Sequence, residues 1–206
     1  MRSHWTPRYI FDRAANLLYQ KLHPSHPWLT PVAIRILGGS IDFHSWGLEF
    51  GSGRSTVWLA RRVKRLVSVE HNPEWYEKVK QNLEFYMIGN VDYHLAPREP
   101  EGATGVPAYV RLAGELPDGE LDFVLVDGIY RDQCVLAAIP KLRPGGLLVI
   151  DNVNRYLPSG TRTPHSRTPA DGPDGPGWQQ VAEQIKDWRT FWTSNGVFDT
   201  AIYFRP

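Results

Sequence analysis

Leu48-Glu49-Phe50-Gly51-Ser52-Gly53-Arg54-Ser55-Thr56 is the stretch whose reading decides the fold. It starts inside a short apolar run, Trp46–Phe50, that reads as a strand, and it passes through two glycines into a segment with helical spacing over 55–63. Gly51 and Gly53 permit a tight turn and let a ligand approach the backbone closely. The helix that follows points its N-terminal amides at the same place. The next strand, Arg65–Glu70, is rich in Val and ends in a carboxylate, where Glu70 can accept hydrogen bonds from ribose hydroxyls. A glycine turn beside a solvated Glu is the bland reading, but the strand-turn-helix-strand context favours a nucleotide-like site.

Outward from this stretch, strand and helix alternate. Asn72-Pro73-Glu74 starts a helix with a capping side chain, a proline in the first turn and a carboxylate at the positive end of the dipole. Val91–Leu95 and Leu121–Val126 are strands, 133–142 is a helix and 146–150 is a fifth strand. Upstream, 9–22 is an amphipathic helix with Ile10, Ala14, Leu17 and Leu18 on one side. Thr30-Pro31 caps a second helix that runs to Gly38-Gly39. Downstream, 154–177 is dominated by Pro, Gly, Ser, Thr and Arg and reads as a long loop, mobile or ordered only by a ligand. A helix over 178–188 and a closing strand over 197–205 complete the chain, with Asn195-Gly196 as a turn. The expected fold is α/β: one doubly wound, Rossmann-like domain over 1–206, mostly parallel, with an antiparallel last strand.

Two cofactor classes compete for the glycine loop. A dinucleotide site wants a small residue three positions after Gly53, and that position is Thr56. A carboxylate two residues before the first glycine is not needed by a dinucleotide. At Glu49 it can engage the ammonium of an amino-acid cofactor, directly or through water. Glu49-x-Gly51-x-Gly53 followed by Val69-Glu70 resembles the first two motifs of the class I S-adenosylmethionine-dependent methyltransferases. Ser55 stands where that family usually has its third glycine. The resemblance covers about residues 40–155. It implies S-adenosylmethionine as cofactor, held by Glu49, Gly51, Ser52, Gly53, Ser55, Glu70, His71 and Asp127.

Two further strand ends carry acids, Val126-Asp127-Gly128 and Ile150-Asp151-Asn152. If those strands are neighbours, Asp127 and Asp151 lie roughly 5 Å apart. Carboxylates that close repel unless a proton or cation sits between them. With the Asn152 amide oxygen they make three hard ligands, suited to Mg²⁺ or Ca²⁺. The pattern resembles the metal-dependent O-methyltransferases of the catechol and caffeoyl-coenzyme A type, which implies metal ligation by Asp127, Asp151 and Asn152. Those families usually place a Lys three residues after the first Asp. Here the position is Tyr130, which leaves Tyr130 and Asp151 as candidate proton acceptors. Arg131 and Arg155 flank the acids, and either bind an anionic substrate or neutralise the acids in place of a metal.

The whole chain bounds these readings. Its 206 residues suit one α/β domain, and 42% apolar with 22% charged residues is ordinary for a globular protein. A net charge of +1 argues against bulk nucleic acid as partner, although a local patch at Arg162 and Arg167 stays open. Cys134 is the single cysteine, which fits a reducing compartment and a small buried residue. Eight tryptophans are many for this length, and core packing is the expected role of most. Met1 to Arg8 lacks the apolar core of a signal peptide, and no later run is long enough to span a bilayer. The expectation is a cytoplasmic enzyme that methylates a small-molecule acceptor, with no membrane partner and with room for a homo-oligomer. An NAD(P)-dependent oxidoreductase and a non-catalytic binding protein on the same fold are the competing readings.

Overall fold

In the computed structural model, which describes residues 6–206, four strands occupy the stretches expected for them: β1 (Trp46–Phe50), β2 (Arg65–Glu70), β3 (Val91–Leu95) and β4 (Leu121–Val126). Met1 to Trp5, the start of the stretch read for a signal peptide, lie outside the described residues. β5 (Leu142–Asp151), β6 (Arg189–Ser194) and β7 (Asp199–Phe204) complete a seven-stranded sheet of order β3-β2-β1-β4-β5-β7-β6. The first five strands are parallel, and β7 runs antiparallel to both β5 and β6. This is the Rossmann-like α/β sheet expected. Strand order reverses between β1 and β4, and the crevice for a ligand opens there, beyond their carboxyl ends.

Period-two alternation sorts the apolar side chains onto the two faces. Leu121, Val124 and Val126 of β4 join Leu148 and Ile150 of β5 in one core. Phe123 and Leu125 join Leu147 and Val149 in the other. The first core is covered by α5 (Ala108–Arg111), α6 (Arg131–Ala138) and α7 (Gly175–Ile185), and the second by α2 (Pro31–Ser40) and α3 (Arg54–Ala60). Cys134 is fully buried in the first core, as its place in the sequence suggested. Trp58 and Trp178 are core residues, and Trp46, Trp188 and Trp192 pack against the core edge.

Several boundaries differ from the sequence reading. Pro140 ends the helical run early, so β5 starts at Leu142 rather than at 146, with Arg143-Pro144-Gly145-Gly146 as its irregular first part. Trp188 closes a turn onto the Ile185 carbonyl, and Arg189–Ser194, given no element between the expected helix and the closing strand, pairs with β7. α5 lies in a segment given no element at all.

α1 (Pro7–Leu22) is a helix as expected, with Thr6 as its cap, but its orientation is reversed. Its half-buried face is polar: Tyr9, Asp12, Asn16, Tyr19 and Gln20. Ile10, Phe11, Leu17, Leu18 and Leu22 are exposed. Polar contacts hold it this way, including Asn195 Nδ2 to Asn16 Oδ1 at 3.1 Å and Tyr19 Oη to His26 Nδ1 at 2.8 Å.

The segment 154–177 is held by its own bonds rather than awaiting a ligand. Asp199 is fully buried and accepts hydrogen bonds from Thr161 Oγ1 (2.6 Å), Thr163 Oγ1 (2.5 Å) and Trp192 Nε1 (2.8 Å). Asn154 donates to the Pro164 carbonyl, and its own carbonyl accepts from Arg167 N. Arg167 is consumed inside the segment by Asp174 and by the carbonyls of Asp171 and Gly172. It is therefore not part of a nucleic-acid patch with the exposed Arg162.

Candidate functional site

The crevice beyond β1, β2 and β4 measures about 510 Å³. Gly51, Ser52, Gly53, Ser55, Glu70, His71 and Asp127 all line it, as the sequence implied. Gly51 has φ +96, and a Cβ there would sit 2.7 Å from the Gly128 nitrogen. That closeness joins the β1 loop to the β4 loop and leaves no room for any residue but glycine. Glu70 holds the loop from the other side. Its Oε2 accepts from Ser52 N (3.1 Å) and Ser52 Oγ (3.0 Å), while Oε1 accepts from His71 N and Asn72 N, both at 2.8 Å. The His71 ring nitrogen Nδ1 lies 2.9 Å from the same Oε1.

Glu49 is fully buried beneath the loop and does not line the crevice. Its Oε2 accepts from Thr56 Oγ1 at 2.7 Å and Ser68 Oγ at 2.6 Å. The Ser55 hydroxyl also stands close enough to favour the charge, yet Oε1 meets no donor in hydrogen-bond geometry. Burial pushes its pKa from 4.5 up to about 7, against the pull of these hydroxyls. Thr56 uses the same hydroxyl to accept from Gly53 N at 2.9 Å. The residue that departs from the dinucleotide pattern thus ties the loop to Glu49.

Two tryptophans take part in this site, although core packing was the expected role of most. Trp75 is 37% exposed, and its Nε1 donates to the Ser52 carbonyl at 2.8 Å. It stands in the first turn of α4 (Pro73–Phe85), where the Asn72 cap aims it back at the glycine loop. Trp28 lines the crevice from the chain before α2. Tyr109 was missed altogether. It has no exposed surface, and its hydroxyl has no hydrogen-bond partner among the described residues. Its ring stands edge-on to His71 and Tyr130, and a Cβ on Gly128 would lie 1.9 Å from its oxygen. No local signal marks it, since it belongs to a short helix in an irregular segment.

The register that sets Val126 opposite Ile150 brings Asp127 and Asp151 out of neighbouring strands side by side, close enough for each carboxyl to shift the other's titration. Burial, then the neighbouring Asp127 charge, raises Asp151 well above the usual carboxylate range. Asp151 Oδ1 also accepts from Thr200 Oγ1 at 2.6 Å. Arg131 resolves the choice left open for it. Its Nη2 lies 2.9 Å from Asp127 Oδ1, and the guanidinium also bonds the carbonyls of Asp127, Gly128 and Asp151. Arg155 is exposed.

This donor set does not fit a divalent cation, and the expected Asp127, Asp151 and Asn152 ligation is corrected accordingly. A guanidinium already neutralises Asp127, burial disfavours a charge on Asp151, and the Asn152 amide turns its Nδ2 to Asp151 Oδ2 at 2.7 Å. Among the described residues no group of three His, Cys, Asp or Glu could hold a metal ion. Tyr130, the candidate base, has φ +49 and does not line the crevice. It faces a neighbouring depression with Arg98, whose guanidinium carbon lies 5.9 Å from the Tyr130 ring centre.

A parallel sheet with this loop after β1 and this acid at the end of β2 defines an α/β domain of the methyltransferase type. The family model described as a methyltransferase domain matches residues 48–153, and the chain belongs to that family. No curated protein matches it. Among solved structures it is similar to a putative caffeoyl-CoA O-methyltransferase from Staphylococcus aureus, at 15% identity and TM-score 0.59, covering 97% of this chain and 98% of that one. It is also similar to a putative methyltransferase from Streptococcus mutans in complex with SAH, at 12% identity and TM-score 0.55, covering 87% and 99%. A third is described as an rRNA methylase from Streptococcus thermophilus, at 14% identity and TM-score 0.55, covering 87% and 98%. At these identities the likeness is one of fold. No helix among the described residues is long and apolar enough to cross a membrane.

Proposed function

We propose that the crevice binds S-adenosylmethionine and that the protein transfers its methyl group to a hydroxyl of a small molecule, without a divalent cation. The observation that carries this reading is Glu49 Oε1, a buried acceptor without a donor directly under a glycine loop whose other wall is Glu70. An ammonium group, or a water it holds, supplies the missing donor, and Glu70 exchanges its Ser52 contacts for ribose hydroxyls. His71, beside Glu70 on the crevice wall, flanks the space for the nucleoside base. The solved Streptococcus mutans structure, described as a complex with SAH, is similar in fold.

Methyl transfer is an in-line displacement. The acceptor oxygen attacks the methyl carbon, the carbon–sulfur bond breaks and its electron pair stays on sulfur, and the hydroxyl proton leaves to a base. The products are a methyl ether and the thioether. Alignment supplies most of the rate, and exclusion of water helps because charge is lost in the transition state. Asp127, on the crevice wall, is the candidate proton acceptor; Asp151 is buried beside it, and Tyr130 faces the neighbouring depression instead.

Calorimetry with S-adenosylhomocysteine and with NADH tests the cofactor. The thioether is expected to bind and NADH to give no heat. At pH 6 the binding should release protons, because an ammonium near Glu49 favours its ionised form. NADH binding with no response to the thioether would overturn the assignment. Mg²⁺, Ca²⁺ and EDTA are each expected to leave affinity and thermal midpoint unchanged. A gain of activity on Mg²⁺ that EDTA reverses would restore the metal.

A further inference from the structure

A second groove of about 560 Å³ runs down the outside of the domain between α3 and α4, and it meets the cofactor crevice only at Gly53, Arg54 and Trp75. Four cations line it, Arg54, Arg61, Arg62 and Lys78, and no carboxylate does. None of the four takes part in an ion pair among the described residues. Arg61 and Arg62 are consecutive, and the Arg62 proton is held less tightly than usual, first through burial and then through repulsion by Arg61. Like charges held together without a counter-ion are strained electrostatically, and a bound anion relieves that strain.

The cations are also ordered in advance. The Arg62 guanidinium lies 4.0 Å from the Trp58 ring centre and donates to the Trp58 carbonyl at 2.7 Å. The Arg61 guanidinium lies 4.3 Å from the Tyr86 ring centre. Trp75 and Tyr86 remain partly exposed, which leaves aromatic surface for a planar group.

We propose that this groove is a binding site for a nucleotide unit, its phosphates held by Arg61, Arg62 and Lys78 and its base against Tyr86 or Trp75. Guanidinium forks match phosphate oxygens, and the interleaved aromatics match a base better than they match a bare anion. The unit comes either from a free nucleotide or from a single strand passing the mouth of the crevice. The site does not depend on methyl transfer, and its residues other than Arg54 and Trp75 lie outside the cofactor crevice.

The test uses uridine diphosphate, inorganic pyrophosphate and a short fluorescein-labelled oligouridylate, none of which carries adenosine. Calorimetry and fluorescence anisotropy at low salt read the binding. Wild-type protein is expected to bind the diphosphate or the oligonucleotide, and affinity should fall about tenfold or more in the double variant Arg61→Gln, Arg62→Gln and again in Lys78→Glu on the other helix. A strand shows itself by much tighter oligonucleotide binding, with log K falling by about 0.7 per neutralised phosphate for each log unit of salt. A free nucleotide shows itself by diphosphate binding that the oligonucleotide does not exceed. Thermal melts and S-adenosylhomocysteine binding, both expected at wild-type values in the variants, separate this site from the cofactor site and from folding. Absence of binding by every probe, or equal binding by wild type and by both variants, would overturn the proposal. Pyrophosphate bound as tightly as the diphosphate would overturn the assignment to a nucleotide.

Discussion

Glu49 sits where a carboxylate is costly, and its titration should therefore be visible in stability. Its folded pKa of about 7 lies above the ordinary 4.5, so the native state takes up a proton between those values. The contribution is fully present below pH 4.5 and is lost as pH rises through 7, up to roughly 3 kcal/mol. Glu49→Gln keeps an acceptor for Thr56 and Ser68. Denaturant melts should show this variant equal to wild type near pH 5 and more stable than it at pH 8, with weaker thioether binding. A difference that does not grow with pH would place the cost elsewhere. At this scale the sequence revealed the residues that sit at strand ends, Glu49, Gly51, Glu70, Asp127 and Asp151, because strand ends follow from periodicity. What those groups touch was not legible. Arg131 reaches the Asp151 carbonyl, besides Asp127 and the Gly128 carbonyl of its own loop, only because β4 and β5 end side by side. Tyr109 enters the site from a segment with no periodic signal at all.

Among the elements, the parallel strands were easiest to read, because a strand buried on both faces is a short apolar run bounded by polar residues. The errors cluster where a tertiary partner decides the outcome. β6 carries Thr190, Trp192 and Ser194, which suit a strand only once β7 is beside it. α1 shows helical spacing correctly, but spacing does not say which side the domain takes. Segment 154–177 has the composition of a mobile loop, yet it is fixed by Asp199, some forty residues beyond its start. Asp199→Ala removes the shared acceptor of Thr161, Thr163 and Trp192. The expected loss is about 3 kcal/mol, since buried donors are left unmatched. Limited proteolysis should cut the variant within 158–174 several times faster than wild type. Equal cutting rates would mean that the Arg167 and Asn154 bonds suffice.

Across the whole molecule, distant parts of the chain meet at the C-terminal hairpin. Thr200 Oγ1 accepts from Thr30 N at 3.2 Å and donates to Asp151 Oδ1, and Thr193 Oγ1 lies 2.5 Å from Thr30 Oγ1. One hydroxyl thus joins α2, β5 and β7. Thr200→Val keeps the strand and removes the links. It should lower the denaturant midpoint by the equivalent of about 2–4 kcal/mol without changing the slope, because two buried polar groups lose a partner. An unchanged midpoint would show that the backbone pairing of β7 carries the closure alone. The same arrangement has a consequence during synthesis. Asp151 and Thr200 are 49 residues apart, which a ribosome covers in about 2–10 s. Through that interval β5 stands at the rim of an otherwise finished parallel sheet with its outer backbone groups unpaired, an invitation to other nascent strands. The hairpin that completes the fold is also the cap that ends this exposure, so slow or stalled translation between these two residues is the moment at which the chain is most open to aggregation.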